Sequence, residues 1–577
     1  MLWCCAAPSV TVWQRKDIKG LLVMYRPSQT LLNRSLFALA TIVLIRLITL
    51  GLPDLLDSTE GRYASIAKLM LDRDDWVTPW INFHGVEEPY LGKPPLHFWL
   101  MDISYLTFGL NNFSARLPSF ISAVGIGVLL ATLSATLFGG AAAYLATLIF
   151  ASSTIIFYLS GAAVLDITLT FGITMALVSF MLADRSRYWG YLFFIGLGLG
   201  VLVKGPIAVI LAGCTIAPWL LIRRWGTGHW PPQLRSLPWI VGPLLFLATT
   251  LPWYLWAEVR NPGFLKYFFW NENFGRFFSK EYGDEYGVGH QQPVGTAWLM
   301  MFPALFPWSL ILLALLVALR KQFLTRATLT ALKHDPILLY ALIWAISCPA
   351  LLTAARQYTA TYLVPSMPGF ALLAVVLWRR QTEGSGLTGA ATTKILKWAY
   401  LLLAVTLMVL PIVLILKYDS DRSSAVAGFI AGALLLALGI KTSVLEKPIA
   451  ALTRITIYSA ILYGFATLCL DNYLSINRSS RRVLTLASSL AKPDSTLSVG
   501  FPFYFPFSAT FYGPLMTSPN MTIVQLDDEQ VLLPPTDLIV VRKRNEAELL
   551  ELDPAKQKLA EVGQWRIYRG SGEYTKR

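Results

Sequence analysis

Acidic and basic side chains stand close together in one early stretch of this 577-residue chain, residues 55–100. Asp57, Glu60, Arg62 and Lys93 occur there among many aromatic residues, between runs that are almost entirely apolar. Carboxylates can act as general bases or orient a polar substrate, and cations can neutralise an anionic group. The mixture indicates a functional site. The structural alternative is that Asp57 or Ser58 merely caps the helix predicted for GRYASIAKLML, with Glu60 in its first turn.

Two further charged residues lie within apolar surroundings. Asp166 stands in SGAAVLDITLTF and Lys204 in GVLVKGPIAV. Isolated charges beside membrane segments are costly, and they often mark function. The alternatives are a helix cap for Asp166 and, for Lys204, a side chain that extends its charge to the membrane interface.

A third loop, residues 254–293, is rich in aromatic residues and carries Glu272, Arg276 and His290. Arg356 and Tyr362 follow in AARQYTATYLVPSMPG. A planar guanidinium pairs with phosphate through two hydrogen bonds, so an Arg among aromatic rings suits a phosphate or a sugar. A membrane-surface anchor would use the same residue types.

The composition predicts a polytopic α-helical membrane protein. Hydrophobic residues make up 55% of the chain and charged residues 14%, against roughly 25% charged in average soluble proteins. The net charge of +14 lies in short segments between apolar runs, as in cytoplasmic loops, and therefore does not indicate nucleic-acid binding. The five cysteines are scattered, and we expect no disulfide framework, metal site or cofactor.

A spanning helix needs about 20 mostly apolar residues, and about thirteen runs qualify. They lie near residues 35–53, 117–138, 141–160, 165–183, 188–203, 205–222, 238–258, 296–319, 336–353, 360–378, 394–417, 424–441 and 449–470.

The run at residues 96–110 is short for a span and contains Asp102, so we predict an amphipathic interfacial helix there. Only this choice leaves the basic linkers on the cytoplasmic side. Those linkers are Arg223 with Arg224, Arg320 with Lys321, and Arg379 with Arg380.

This topology predicts three parts. Residues 1–34 form a cytoplasmic segment, unless the start is over-extended and Met24 is the first residue. Residues 35–470 form the transmembrane domain with an external loop at 54–116, and residues 471–577 form a periplasmic α/β domain. The strand-like segments TLSVGF, MTIVQL and DLIVVRK support that last assignment, with helix-like runs at 481–491 and 545–550.

Several segments together resemble the aminoarabinose (4-amino-4-deoxy-L-arabinose) transferase branch of the protein O-mannosyltransferase-like membrane glycosyltransferases. They cover residues 35–380 in order: DSTEGRYASIAKLMLDRDDWVTPWINFHGVEEPYLGKPPLHFWL, NNFSARLPS, GAAVLDITLTF, GLGVLVKGPIAV, PWYLWAEVRNPGF, ENFGRFF and TYLVPSMPG.

The resemblance implies a C-superfamily glycosyltransferase in the bacterial inner membrane, acting at its periplasmic face. Such an enzyme takes a sugar from an undecaprenyl (polyprenyl) phosphate donor and passes it to lipid A or a related glycolipid. We expect a monomer that contacts only donor, acceptor and membrane lipids.

The predicted site residues fall into three groups. The catalytic acids are Asp57, Glu60 and Asp166; the donor-phosphate residues are Arg62, Lys93, Arg276, Arg356 and Tyr362; and the substrate-lining residues are Tyr63, Tyr90, Lys204, Glu272 and His290.

Two positions depart from the family pattern. Thr59 stands where relatives often have Asp, so either Asp57 or Glu60 takes the role of that acid. Gly92 stands where relatives commonly have a Glu treated as a possible metal ligand, which argues against a metal at that spot.

The predicted mechanism is a single displacement with inversion, in which cations stabilise the phosphate that leaves. A phosphate acceptor needs no general base, so the acids would orient the sugar and stabilise an oxocarbenium-like centre. The alternatives are a protein O-glycosyltransferase with the same donor, and a transporter of a polyprenyl-linked sugar.

Overall fold

The structure is a computed structural model. It describes residues 29–83, 85–275, 291–313, 335–355, 357–383, parts of 398–434, and 448–491, 496–516, 520–526 and 536–570. Arg276, His290 and Arg356 lie outside the described residues, as do parts of the predicted runs 296–319, 394–417 and 424–441. The predictions for these three side chains therefore stay predictions.

Helices dominate the first part of the chain. They are α1 Gln29–Ile48, α2 Thr59–Asp72, α3 Leu96–Phe108, α4 Asn112–Phe138, α5 Gly140–Ala151, α6 Thr154–Leu159, α7 Leu165–Leu182, α8 Arg187–Lys204, α9 Ile207–Thr227, α10 Pro232–Ser236, α11 Val241–Arg260, α12 Phe264–Lys266, α13 Thr296–Ala304, α14 Pro336–Ala354, α15 Met367–Glu383 and α16 Pro448–Asn477. A π-helical segment occupies Tyr267–Gly275, and 3₁₀ segments occupy Thr49–Gly51 and Ala360–Ser366.

Within the described ranges, six helical segments are long and apolar enough to cross a membrane: Asn112–Phe138, Leu165–Leu182, Ile207–Thr227, Pro336–Ala354, Ala360–Arg379 and Leu452–Asn477. The helical membrane character predicted from composition is confirmed. Two predicted runs are wrong as single helices. Residues 141–160 form α5 and α6 with a break at Ser152 and Ser153, and in the run 296–319 helix α13 ends at Ala304 before a turn at 305–307.

Helix α3 covers most of the doubtful run at 96–110. At 13 residues it is about 20 Å long, less than the roughly 30 Å of a hydrocarbon core. It packs against α2 and α4. Its length therefore supports the prediction of a non-spanning helix.

Helices α7 and α8 pack closely against each other near the site. A Cβ added at Gly172 would lie 2.7 Å from the backbone nitrogen of Gly200, so only glycine allows this approach. Since α7 begins at Leu165 and α8 ends at Lys204, their packing brings the first turn of one helix beside the last residue of the other.

The C-terminal region is α/β. It contains α17 Arg481–Leu490, β3 Thr496–Pro502, α18 Phe507–Tyr512, β4 Asn520–Leu526, β5 Leu538–Arg542, α19 Glu546–Leu552, β6 Lys558–Val562 and β7 Trp565–Arg569. A short hairpin in the first loop pairs β1 Trp80–Phe83 with β2 Val86–Pro89.

The larger sheet has the order β4-β3-β5-β7-β6. Strand β3 is parallel to β4 and β5, whereas β7 is antiparallel to β5 and β6. The three segments predicted as strands in this region are all strands in the structure. Strand β5 pairs with β7 so that Val540 lies opposite Ile567, and both side chains are fully buried.

The C-terminal region packs on the first loop and shares its apolar core. The Phe511 ring lies 6.0 Å from the ring of Tyr105 in α3, and Phe507 stacks on Phe83 of the hairpin at 6.3 Å. The first loop is therefore held between the membrane helices and the C-terminal sheet.

Candidate functional site

A small polar pocket opens among the ends of the membrane helices. It has a volume of about 110 Å³. Its lining includes Lys93, Asp166, Lys204, Glu272 and Tyr362, all predicted from the sequence as site residues. Leu169, Leu211 and Leu351 supply part of its apolar wall.

The best defined contact in the pocket joins Lys204 to Asp166. The Lys204 Nζ donates to Asp166 Oδ1 at 2.6 Å, and the two side chains are 12% and 11% exposed. The same ammonium lies 3.7 Å from the ring centroid of Tyr362. The charge of Lys204 is therefore paired inside the pocket.

Lys93 makes the second ion pair of the pocket. Its Nζ donates to Glu272 Oε1 and, at 2.6 Å, to the carbonyl of Gly92. Glu272 belongs to the π-helical segment, 179 residues away in sequence. The first and third loops are therefore joined at this point by a buried charge pair.

Helix α2 presents Tyr63 to the same cations. Burial raises the pKa of Tyr63 and the neighbouring Tyr90 adds to that effect, while the charges of Arg62, Lys93 and Lys204 oppose it. The Arg62 guanidinium lies 5.3 Å from the ring centroid of Tyr63 and 5.8 Å from that of Phe507. Neither Tyr63 nor Tyr90 is among the described residues that line the pocket, so their assignment as substrate-lining residues stays a prediction.

Glu60 occupies a different place. Its carboxylate accepts from Arg116 Nε at 2.9 Å and from Arg116 Nη2 at 3.0 Å, with side-chain exposures of 7% and 1%. It also accepts from the backbone N–H groups of Ala163 and Leu56. Burial raises the pKa of Glu60, but Arg116 and these hydrogen bonds together lower it below its ordinary value.

Asp57 faces the C-terminal region. Its carboxylate accepts from the backbone N–H of Ser508 at 2.8 Å and from the Ser508 hydroxyl at 2.7 Å. Burial raises the pKa of Asp57 to about 6, against the opposing effects of these hydrogen bonds and of Arg542. A Cβ at Gly61 would lie 2.7 Å from the Ser508 nitrogen, so a glycine is needed there.

The three predicted acids therefore lie in three settings: Asp166 in the polar pocket, Glu60 in an ion pair with Arg116, and Asp57 against α18. The structural alternative, a side-chain cap of α2, is not observed. Ser58 is the N-cap residue but its side chain makes no capping hydrogen bond, and the Asp57 carboxylate accepts from Ser508.

Arg116 and Ser508, the partners of Glu60 and Asp57, were not predicted from the sequence. Arg116 had a usable signal, since it is a lone charge at the start of an apolar run. Ser508 had none, because a serine in a soluble-type segment predicts no particular partner. Among the described residues, no group of three or more His, Cys, Asp or Glu side chains has the arrangement of a metal site.

A family model described as dolichyl-phosphate-mannose-protein mannosyltransferase matches residues 34–268. The undecaprenyl phosphate-alpha-4-amino-4-deoxy-L-arabinose arabinosyl transferase of Shewanella sediminis is 29% identical over 348 residues, covering 57% of this chain and 57% of that protein. The protein of the same name from Yersinia pestis is 29% identical over 341 residues, covering 57% of this chain and 56% of that one. The chain thus matches little more than half the length of these relatives.

Two crystal structures of ArnT from Cupriavidus metallidurans are similar over nearly the whole chain. The structure bound to undecaprenyl phosphate has a TM-score of 0.74 and 22% identity, covering 94% of this chain and 99% of that one. The apo structure has a TM-score of 0.71 and 21% identity, covering 96% and 98%. The predicted resemblance to aminoarabinose transferases is confirmed, and the chain has the fold of ArnT.

Proposed function

We propose that this protein is a membrane glycosyltransferase that transfers a sugar from a polyprenyl phosphate, such as undecaprenyl phosphate, to a lipid acceptor of the lipid A class. The observation that carries the proposal is the pocket in which Lys93 and Lys204 converge with Asp166. It lies in a chain with the fold of an ArnT that was crystallised with undecaprenyl phosphate.

The two lysines suit a phosphate that must be bound and then leave. An ammonium has three N–H donors. Lys204 directs one of them to Asp166 and Lys93 directs two to Gly92 and Glu272, so each can also donate to a phosphate oxygen. Cations fixed in a partly apolar site stabilise developing negative charge more strongly than they would in water.

Asp166 is the acid that we assign to the sugar. It is the one of the three predicted acids in the pocket, and Lys204 holds its carboxylate in place. A phosphate acceptor is already anionic and needs no general base. Asp166 then orients the sugar and stabilises positive charge at its anomeric carbon during a single displacement with inversion.

Glu60 and Asp57 take positioning roles in this proposal. Glu60 fixes the start of α2 to Arg116, and Asp57 fixes it to Ser508. Tyr63 and Arg62 follow directly on α2, so both contacts set where these side chains lie. We further propose that the protein is a monomer in the bacterial inner membrane with the pocket at the periplasmic face.

The test uses purified protein in detergent with a panel of undecaprenyl phosphate sugars as donors and lipid A as acceptor. Asp166→Asn and Lys93→Met should each lower transfer at least a hundredfold. Lys266→Met, which removes an exposed charge from α12, should leave it unchanged. Full activity in Asp166→Asn would refute the assignment of the acid, and no transfer by the parent protein from any donor would refute the proposed reaction.

The family description favours a second acceptor class, a protein hydroxyl group. A hydroxyl must lose a proton on transfer, so this reaction needs a base beside the anomeric carbon. Mass spectrometry of lipid A and of exported proteins from a deletion strain separates the two acceptors. Transfer in detergent, without two compartments, also excludes a transporter that lacks enzymatic activity.

A further inference from the structure

A long apolar groove lies on the side of α4 that faces away from α7. Its volume is about 500 Å³, and it is lined by residues of α1, α4, α5 and α6. Its α4 lining extends from Phe120 to Ala135, about 22 Å along the helix axis. The opposite face of α4 packs on α7, where Ser122 hydrogen-bonds Thr168, so the groove is separate from the polar pocket.

Among the described residues that line the groove, Arg46 carries the one charged side chain. Arg46, two residues before the end of α1, is 6% exposed. Its Nη1 and Nη2 make only long hydrogen bonds of 3.3 Å, to the Thr49 hydroxyl and the Tyr158 carbonyl, and its Nε has no hydrogen-bond partner. A buried guanidinium with an unused donor is costly in an apolar setting, and an anion would relieve that cost.

The charges around Arg46 leave a positive surplus. Arg46, Arg116 and Glu60 line one adjoining cavity of about 170 Å³, and the single carboxylate of Glu60 is already bound by Arg116 through two hydrogen bonds. Among the described residues, Arg46 has no carboxylate within 4 Å. Two guanidiniums therefore share one acid, and an anion at Arg46 would balance them.

The chain is shaped to keep this guanidinium in place. It lies 5.1 Å from the ring centroid of Phe157, which also lines the groove. A Cβ added at Gly161 would be 1.5 Å from Arg46 Nη2, so any other residue at 161 would displace the charge. The packing therefore fixes the Arg46 guanidinium at the end of the apolar groove.

We propose that this groove binds an acidic glycerophospholipid of the surrounding bilayer. One acyl chain lies along α4, and the phosphate accepts hydrogen bonds from Arg46. A zwitterionic lipid is a poorer occupant, because its ammonium group would add a cation beside a site that already has a positive surplus. The proposal does not depend on the sugar-transfer reaction, since the site lies across α4 from the polar pocket.

Two variants test the site independently. Arg46→Gln removes the charge and keeps a polar, though shorter, side chain. Ala131→Trp fills the groove and leaves Arg46 intact, since Ala131 lines the groove. The matched controls are Arg235→Gln, which removes an exposed charge, and Ile121→Trp, which adds the same bulk at a residue of α4 that is 60% exposed and outside the groove lining.

The measurement is the lipid retained by the purified full chain after exchange into micelles that contain equal amounts of phosphatidylglycerol and phosphatidylcholine. Native mass spectrometry counts each bound lipid. We expect the parent protein and both controls to retain phosphatidylglycerol at least fivefold over phosphatidylcholine, and both test variants to lose that preference. Equal retention of the two lipids by the parent protein would overturn the proposal. So would full retention in both test variants, or a retained species that is the glycolipid acceptor or a polyprenyl phosphate.

Discussion

Replacing Glu60 by Gln should destabilise the fold strongly, because it leaves Arg116 as a buried charge without a counterion. The side chain of Arg116 is 1% exposed and that of Glu60 is 7% exposed. Removing one partner of such a pair costs about 3 to 5 kcal/mol. Arg116→Met should cost a similar amount, since the carboxylate then loses two charge-assisted hydrogen bonds.

A double-mutant cycle separates this structural role from a catalytic one. The double variant Glu60→Gln with Arg116→Met should be less destabilised than the sum of the single variants by about 2 to 3 kcal/mol, because neither charge remains unpaired. Unfolding in mixed micelles, followed by tryptophan fluorescence, measures all four proteins. The control is Glu87→Gln, the same chemical change in an ion pair with Arg73; both side chains are 38% exposed, so the expected cost is below about 1 kcal/mol.

The stability that Glu60 provides should also depend on pH. Its folded-state pKa is lowered below 4.5, so this stability is present above that value and is lost as the pH falls through the folded-state pKa. A Glu60→Gln variant that unfolds like the parent protein, yet has lost all transfer activity, would refute the structural role and make Glu60 the catalytic acid.

Three further substitutions have expected outcomes. Burial raises the pKa of Asp102 to about 8, so the stability that its protonated form contributes is lost as the pH rises from about 4 to 8. Asp102→Asn should remove this pH dependence. Melting temperatures of the variant that differ between pH 5 and pH 8 as much as those of the parent protein would contradict the argument. Ser508→Ala removes one hydrogen-bond donor to Asp57 and should lower the free energy of unfolding by about 1.5 to 3 kcal/mol. An unchanged free energy of unfolding would contradict this expectation. Gly61→Ala should separate α2 from α18 and cost about 1 to 3 kcal/mol, and a crystal structure of the variant with this contact unchanged would count against the argument.

Much of the architecture was predictable from local sequence. Apolar runs long enough to span a membrane predicted most of the described membrane helices, because composition alone decides whether a segment can lie in hydrocarbon. Asp166 and Lys204 could be selected as candidate site residues for the same reason: a single charge in such a run is conspicuous. Their side chains form an ion pair where α7 packs against α8.

The different partners of the first-loop acids were decided only by tertiary structure. Asp57 and Glu60 are three residues apart and have similar chemistry, so no local pattern distinguishes them. The partner of Glu60 is 56 residues away, and that of Asp57 is 451 residues away in the C-terminal region. Charge pairs and hydrogen bonds form between groups that are close in space, and over such separations only the packing of the whole chain determines which groups meet.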